Sequence, residues 1–92
     1  MHLNEIATTM KTVGEESRLK ILCTLFEHKK ICVSDIASSL GMSVAIVSHH
    51  LQVLEKKGVL THTRKGKTVC YDLSNEPIVK DLKKFICKYK QP

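Results

Sequence analysis

One stretch of the sequence carries small polar and amide side chains of the kind that read base edges in DNA. Its polar members are Ser43, Ser48, His49 and Gln52, and its small apolar members are Val44 and Ala45. The amide of glutamine can pair with adenine, serine and histidine can bond to bases or phosphates, and small apolar groups can touch the thymine methyl. We therefore predict that this stretch lies in the major groove of double-stranded DNA.

A second stretch is basic and would meet the sugar–phosphate backbone. Arg64, Lys65 and Lys67 surround Gly66, and a Lys-Gly-Lys turn between two runs of strand character predicts a β-hairpin. Basic side chains at a hairpin tip supply charge to phosphates or to the minor groove. Each stretch has a common alternative, because a polar helix face is usually only solvated and Lys-Gly-Lys occurs in many exposed turns. Their combination in this order favours DNA binding.

The residues with redox chemistry are the four cysteines, Cys23, Cys32, Cys70 and Cys87. The chain begins MHLNEIATTMK, without the basic start and apolar core of a secretory signal. No stretch approaches the roughly 18 to 20 apolar residues of a membrane span. We therefore expect a cytoplasmic protein whose cysteines start as thiols and not as a structural disulfide framework. Cys70 lies on the strand face opposite Tyr71 and is expected to be incidental.

Apolar spacing and capping residues predict the elements that position these side chains. Helices are expected at 4–13, from residues 15–16 to about 30, at 35–40, from the Ser43 cap to Lys57, and at 77–90, with strands at 59–64 and 68–73. A short third helix and a long fourth helix joined by a glycine turn are typical of a helix-turn-helix, and the hairpin then forms a wing. The predicted fold is mainly α, a winged helix-turn-helix of order αααα-ββ-α. His50, nearest the core side of the fourth helix, is expected to be packed and hydrogen-bonded.

Composition narrows the function classes. The 92 residues suffice for one domain, residues 1–92, and a net charge of +6 favours an anionic partner, nucleic acid before membrane. The absence of tryptophan argues against a single-strand binder built on aromatic stacking. No glycine-rich phosphate loop or hydrolase motif occurs, so neither enzyme activity nor a cofactor is expected. A winged helix that binds proteins instead of DNA is an alternative. Salt-dependent binding to DNA would distinguish a DNA-binding protein from such a module.

Several motifs together resemble the ArsR/SmtB family of repressors. They are Arg18-Leu19-Lys20-Ile21-Leu22, Ile31-Cys32-Val33-Ser34-Asp35-Ile36-Ala37, Val47-Ser48-His49-His50-Leu51-Gln52-Val53-Leu54, Lys57-Gly58-Val59-Leu60, and Gly66-Lys67 with Tyr71-Asp72-Leu73-Ser74. The resemblance covers nearly the whole chain and implies a homodimer, joined through the first and last helices, whose affinity for operator DNA is lowered by a ligand. Two apolar stripes agree with such a dimer, since a chain of this size would struggle to bury them alone; they are Leu3/Ile6/Met10 and Ile78/Leu82/Phe85.

The metal sites familiar in this family match the sequence poorly. The Cys-x-Cys pair at the head of the third helix reads Cys32-Val33-Ser34 here, so a hydroxyl replaces the second thiolate. A zinc site on Cys32 and Asp35 would need two further ligands, for which His2 of the partner subunit is one candidate. The last helix, 77–90, contains no histidine, which removes the second familiar site. No metal site is predicted, and a metal(loid)-responsive repressor that uses Cys32 is the alternative.

Cys23 and Cys87 resemble the paired cysteines of the persulfide-sensing BigR/SqrR and HlyU-like branch of this family. In that branch the two thiols are joined by a disulfide or a short polysulfide chain, so the resemblance implies a reactive sulfur species as the small inducer. A bond between the second and last helices would shift the dimer-forming helix against the DNA-reading unit. The alternative from the residues alone is that Cys23 is an ordinary core residue and no thiol switch exists. Cys32 is at most an auxiliary thiol in this scheme.

Overall fold

The computed structural model of the protein describes residues 1–91. Its elements in chain order are α1 (Leu3–Val13), α2 (Glu16–Glu27), β1 (Ile31–Cys32), α3 (Val33–Leu40), α4 (Val44–Lys56), β2 (Leu60–Lys65), β3 (Thr68–Leu73) and α5 (Pro77–Tyr89). The order of four helices, a hairpin and a final helix confirms the predicted winged helix-turn-helix. The addition to that prediction is β1, a strand of two residues.

Both ends of α4 are fixed by residues whose chemistry suits those positions. The Ser43 hydroxyl accepts a hydrogen bond from the backbone N–H of Ile46 at 3.1 Å, which satisfies one of the free donors of the first turn. Gly58 follows the helix with φ of +77°, a left-handed conformation that favours glycine. The predicted Ser43 cap is therefore confirmed, and the helix ends at Lys56, one residue before the predicted end.

The start of α3 differs from the prediction. The helix begins at Val33, with Cys32 as its N-cap, two residues before the predicted start at residue 35. The reason is tertiary, because Ile31 and Cys32 pair with β3 and this pairing sets where the chain can turn into the helix. A strand of two residues is too short to leave a period-2 pattern in the sequence.

The three strands form an antiparallel sheet in the order β1-β3-β2. The wing hairpin pairs six residues of β2 with six of β3, from Leu60 opposite Leu73 to Lys65 opposite Thr68. On the other edge, Cys32 lies opposite Cys70, and the two form a disulfide. Cys70 is therefore not incidental as expected, because it is joined to a second of the four cysteines. The sequence did not reveal β1, the strand that places the two cysteines together.

One hydrophobic core joins the helices to the base of the hairpin. Its buried apolar members are Val13, Ile21, Leu22, Leu25, Ile36, Ala37, Val47, Leu51, Leu54, Val59, Leu60, Tyr71 and Val79. Helices α2 and α4 each contribute three of these side chains and pack against each other across the centre. The buried side of α4 is thereby held on the domain, and its opposite side is left to solvent.

Glu15, the N-cap of α2, gives the fold a testable dependence on pH. Its carboxylate accepts hydrogen bonds from the backbone N–H groups of Arg18 (3.0 Å) and Ser17 (3.1 Å). These two bonds lower the pKa of Glu15 below its usual value of 4.5, with a smaller contribution from the Arg18 charge. A carboxyl whose pKa is lower in the folded state stabilises the fold above its unfolded pKa, and this contribution is lost as the pH falls through the folded pKa.

Glu15→Gln should therefore lower the thermal unfolding midpoint near pH 6 to 7, and the difference from wild type should shrink as the pH falls below about 4. Thermal unfolding followed by circular dichroism from pH 7 to pH 3 measures this. Glu16→Gln is the matched control, because the exposed Glu16 carboxylate pairs with Lys20 (3.4 Å). A Glu15→Gln deficit of equal size at pH 7 and pH 3 would contradict the assignment.

Candidate nucleic-acid interface

The side of α4 that faces away from the core is small, polar and accessible. Val47, Leu51 and Leu54 are buried against the domain, whereas His49 and Gln52 are exposed. Ser48 is half-buried, and its hydroxyl accepts a hydrogen bond from the Gln52 side-chain amide at 3.3 Å. This bond orients the amide of Gln52 without using its oxygen, so the amide keeps an acceptor and a second N–H for a base edge.

A groove of about 500 Å³ separates this side of α4 from the wing. It is lined by Cys32, Val33, Ser34, Val44, Ser48, Gln52, Glu55, His62, Arg64, Lys67, Thr68, Val69 and Tyr71. The structure thus brings Ser48 and Gln52 of the helix to the same groove as Arg64 and Lys67 of the hairpin. Groups suited to base edges and groups suited to phosphates border one surface.

Five of the nine side chains predicted to contact DNA line this groove, namely Val44, Ser48, Gln52, Arg64 and Lys67. The other four lie outside its lining but on the exposed surface; they are Ser43, Ala45, His49 and Lys65. The hydroxyl oxygen of Ser43 accepts the capping hydrogen bond from the helix, so its hydroxyl proton is free to donate a hydrogen bond to another group. Contact of all nine with DNA stays a prediction.

The groove also contains an acidic residue, Glu55, which the sequence alone did not indicate. Glu55 forms a hydrogen bond through its carboxylate with Nδ1 of His62, which lies on β2. Burial raises the pKa of the Tyr71 hydroxyl at the groove wall, and the negative charge of Glu55 adds to this. The helical spacing of three residues from Gln52 to Glu55 could have placed the carboxylate on this side of α4. The pairing with His62 needed the register of the hairpin.

Arg18 connects α4 to the first two helices. Its Nε donates to the Thr12 carbonyl oxygen at 2.6 Å, and its Nη1 lies 3.4 Å from Nδ1 of His50. Because a guanidinium has only donors, Nδ1 of His50 acts as the acceptor. His50 is half-buried, as the sequence led us to expect. The contact places a charged, directional link between α1 and the back of α4.

Large apolar side chains on α1 and α5 are exposed. Leu3 is 82% exposed and Met10 58% on α1, and Phe85 is 63% and Tyr89 62% exposed on α5. The rings of Phe85 and Tyr89 lie 5.2 Å apart, so they form a continuous aromatic surface. Exposed apolar side chains of this kind are typical of surfaces that pack against a partner.

Cys23 on α2 and Cys87 on α5 line one pocket of about 260 Å³, together with Phe26, Glu27, Lys90 and Gln91. Cys87 is exposed and Cys23 is half-buried, so Cys23 is not a fully buried core residue. Burial raises the pKa of the Cys23 thiol, and the charges of Cys87 and Glu27 add to the effect, while the Lys90 ammonium opposes it. Cys87 is thus the accessible thiol of the two, and Cys23 is a shielded one beside it.

Among residues 1–91, no three side chains of the kinds that bind metals lie close enough to hold an ion within one chain. The sulfur atoms of Cys32 and Cys70 are bonded to each other in a disulfide and therefore are not thiolate ligands for a metal. Within the same range, no helix is both long enough and apolar enough to cross a bilayer.

Comparison of the sequence with models of known protein families assigns this chain to a family. The model of the bacterial regulatory protein, arsR family, matches residues 15–62, which run from the cap of α2 into the wing. The cadmium resistance transcriptional regulatory protein CadC of Listeria innocua is 42% identical over 69 residues, which are 75% of this chain and 58% of the relative. The chain spans about six tenths of the length of the first curated relatives that it matches.

Solved structures agree over a larger part of the chain. HlyU from Vibrio cholerae superposes with a TM-score of 0.85 at 30% identity, covering 99% of this chain and 100% of HlyU. HlyU of this species is described as a transcriptional activator. A homodimeric winged helix-turn-helix DNA-binding domain from Mycobacterium bovis superposes with a TM-score of 0.81 at 27% identity, covering 94% of this chain and 78% of that domain.

Proposed function

Because the chain belongs to the arsR family of bacterial regulatory proteins, we propose that it binds operator DNA as a homodimer and represses transcription until a small inducer releases it. The observation that carries this proposal is the groove shared by Ser48 and Gln52 of α4 with Arg64 and Lys67 of the wing. Residues 1–92 act as one DNA-binding unit, in the cytoplasm where a bacterial chromosome lies.

The DNA-reading step follows from the geometry of α4. The helix enters the major groove with its small polar side toward the bases. The buried side chains of Val47, Leu51 and Leu54 on its opposite side hold it against the core. Gln52 presents its amide to an adenine, and Ser48 supports the amide in that position. Arg64, Lys65 and Lys67 on the hairpin neutralise phosphates or enter the minor groove.

A salt titration tests this function against that of a protein-interaction module. A duplex selected from a randomised DNA pool serves as the operator, and its affinity is measured by fluorescence anisotropy between about 50 and 300 mM salt. Six basic wing side chains in a dimer predict a slope of log K against log salt of about −5. The absence of any selected duplex, or binding that does not change with salt, would refute DNA binding through the wing.

The homodimer is proposed from the exposed apolar surfaces of α1 and α5. Leu3 and Met10 on one helix, with Phe85 and Tyr89 on the other, are large apolar side chains exposed to solvent, as at surfaces that pack against a partner. The Mycobacterium bovis relative is described as homodimeric, which supports the same arrangement here. Dimerisation through these helices would leave α4 and the wing free to contact DNA in both protomers.

We propose that the inducer is a reactive sulfur species acting on Cys23 and Cys87. The exposed Cys87 thiolate attacks a sulfane sulfur of a polysulfide, which leaves a Cys87 persulfide and a shortened polysulfide. The Cys23 thiol then attacks the Cys87 sulfur, which forms a Cys23–Cys87 disulfide and releases hydrogen sulfide. The shared pocket between α2 and α5 and the likeness to HlyU support this pair.

Cys87→Ser is expected to keep operator affinity but to lose the response to polysulfide. In wild type, polysulfide should weaken binding by about tenfold, within the usual range of coupling between two sites, and in Cys87→Ser by less than about twofold. Anisotropy titrations with and without sodium tetrasulfide measure the difference. The double variant Cys32→Ser/Cys70→Ser is the control and should still lose about tenfold in affinity when polysulfide is added. A wild-type response from Cys87→Ser would refute the assignment.

A metal-responsive regulator is the second candidate, favoured by the identity with CadC. The opposing observations are the serine at position 34 and the engagement of Cys32 in a disulfide. Reduced protein bound to the selected duplex decides between the two: release by cadmium or zinc ions, with none by polysulfide, would favour the metal.

A further inference from the structure

The Cys32–Cys70 disulfide joins the two parts of the DNA-facing surface. Cys32 is the N-cap of α3, the first helix of the helix-turn-helix, and Cys70 lies in β3 of the wing. The two residues are 38 positions apart in the sequence and directly opposite in the sheet register. Cys32 also lines the groove that holds Gln52 and Arg64. This pair is separate from Cys23 on α2 and Cys87 on α5.

The surroundings of the pair favour a reversible site over a structural staple. Both cysteines are half-buried, and Cys32 lines the groove, which gives small oxidants and reductants a route to the Cys32 side of the bond. The core that holds the fold is built from other side chains, and the backbone pairing of β1 with β3 covers only two residues of β1. In a reducing cytoplasm, a disulfide of this kind is usually transient and redox-sensing.

We infer that Cys32 and Cys70 form a second redox site, oxidised by hydroperoxides and reduced by dithiols, which locks the wing to the helix-turn-helix and tightens DNA binding. The effect on DNA rests on the proposed function, whereas the redox chemistry does not. The inferred site acts in the opposite direction to the Cys23–Cys87 pair, because it fixes the surface that contacts DNA.

The chemistry involves two thiols and one oxidant. The Cys32 thiolate, at the N-terminus of α3 where backbone N–H groups favour negative charge, attacks one oxygen of the hydroperoxide. This step gives a Cys32 sulfenic acid and releases an alcohol or water after protonation. The Cys70 thiol then attacks the Cys32 sulfur, and the sulfenic oxygen leaves as water with the thiol proton. Two thiols lose two electrons, and the O–O bond accepts them.

The mechanical consequence follows from the sheet. Because β3 pairs along its whole length with β2, a bond from Cys70 to Cys32 fixes the entire hairpin relative to α3. Arg64 and Lys67 are then held across the groove from Ser48 and Gln52 before DNA arrives. The oxidised hairpin loses less conformational entropy when it binds DNA. The oxidised form should therefore bind DNA more tightly.

The test uses Cys23→Ser/Cys87→Ser, which contains only the inferred pair. After hydrogen peroxide, peptide mapping by mass spectrometry should find Cys32 joined to Cys70, and dithiothreitol should restore two thiols. Affinity for the selected duplex should be about threefold to tenfold higher in the oxidised form. The variant that also carries Cys70→Ser should show equal affinity in both conditions. Two free thiols after peroxide, or oxidised protein that binds no more tightly, would overturn the inference.

The same experiment separates this inference from the proposed function. Peptide mapping and hydrogen exchange of the β2–β3 amides need no DNA, and oxidation should slow exchange in the hairpin. If the reduced and oxidised proteins both fail to bind duplex, the proposed function is refuted, while the mapping and exchange still decide whether the disulfide forms and locks the wing. If reduced protein binds duplex normally and oxidation changes nothing, the inference alone fails.

Discussion

Phe85→Asp is expected to separate the homodimer and to lower affinity for the selected duplex by about 100-fold or more. Phe85 is exposed on α5 beside Tyr89, so an aspartate there costs the monomer little but places a charge in the apolar surface that a partner would cover. A dimer binds two half-sites at once, and this linkage commonly raises affinity by a factor of about 10² to 10⁴. Separated monomers lose that increase in affinity. Sedimentation velocity measures the mass, and anisotropy measures the affinity.

Asn75→Asp is the matched control, because it adds the same charge at an exposed position just before α5. It should remain a dimer and bind duplex like the wild type. Circular dichroism should show an equally helical protein in both variants. A Phe85→Asp protein that stays dimeric, or a monomer that binds DNA as tightly as wild type, would contradict the proposed role of α5.

Gln52→Ala is expected to weaken binding to the selected duplex by about tenfold to hundredfold, since a good pairing with a base contributes about 1 to 3 kcal/mol. Its affinity for unrelated DNA should change little, because the uncharged Gln52 side chain is proposed to contact base edges and not phosphates. Lys67→Ala should act differently: it should weaken both duplexes alike and make the salt slope shallower by about one for each phosphate that is no longer neutralised. Anisotropy titrations with both duplexes measure these differences.

Lys56→Ala is the control on the same helix, because Lys56 lies in the last turn of α4 and does not line the groove. Its effect on specificity should be small. If Gln52→Ala weakened both duplexes equally, Gln52 would contribute to the general surface and not to base recognition. If Lys67→Ala changed only the selected duplex, the wing would read sequence.

The helices were predictable because their signals are local. The α4 cap Ser43, the terminating Gly58 and the buried row of Val47, Leu51 and Leu54 all follow from spacing and residue type. The groove residues Ser48 and Gln52 could likewise be placed on one side of the helix. A helical period carries enough information to assign both sides of α4.

The parts that could not be predicted depend on contacts between distant segments. The strand β1 has only two residues, so its pairing with β3 and the resulting Cys32–Cys70 bond had no sequence signal. Likewise, the Glu55–His62 bond requires the orientation of the hairpin relative to α4. Such pairings are set by the packing of the whole domain, which residue spacing does not encode.

Backbone NMR spectra of ¹⁵N-labelled protein test most directly whether α4 and the wing together contact duplex DNA. Addition of the selected duplex should produce the largest shift changes at Ser48, His49 and Gln52 on the helix and at Arg64 and Lys67 on the hairpin, with small changes in α1 and α5. Changes confined to α1 and α5, with the helix and hairpin signals unmoved, would contradict the account.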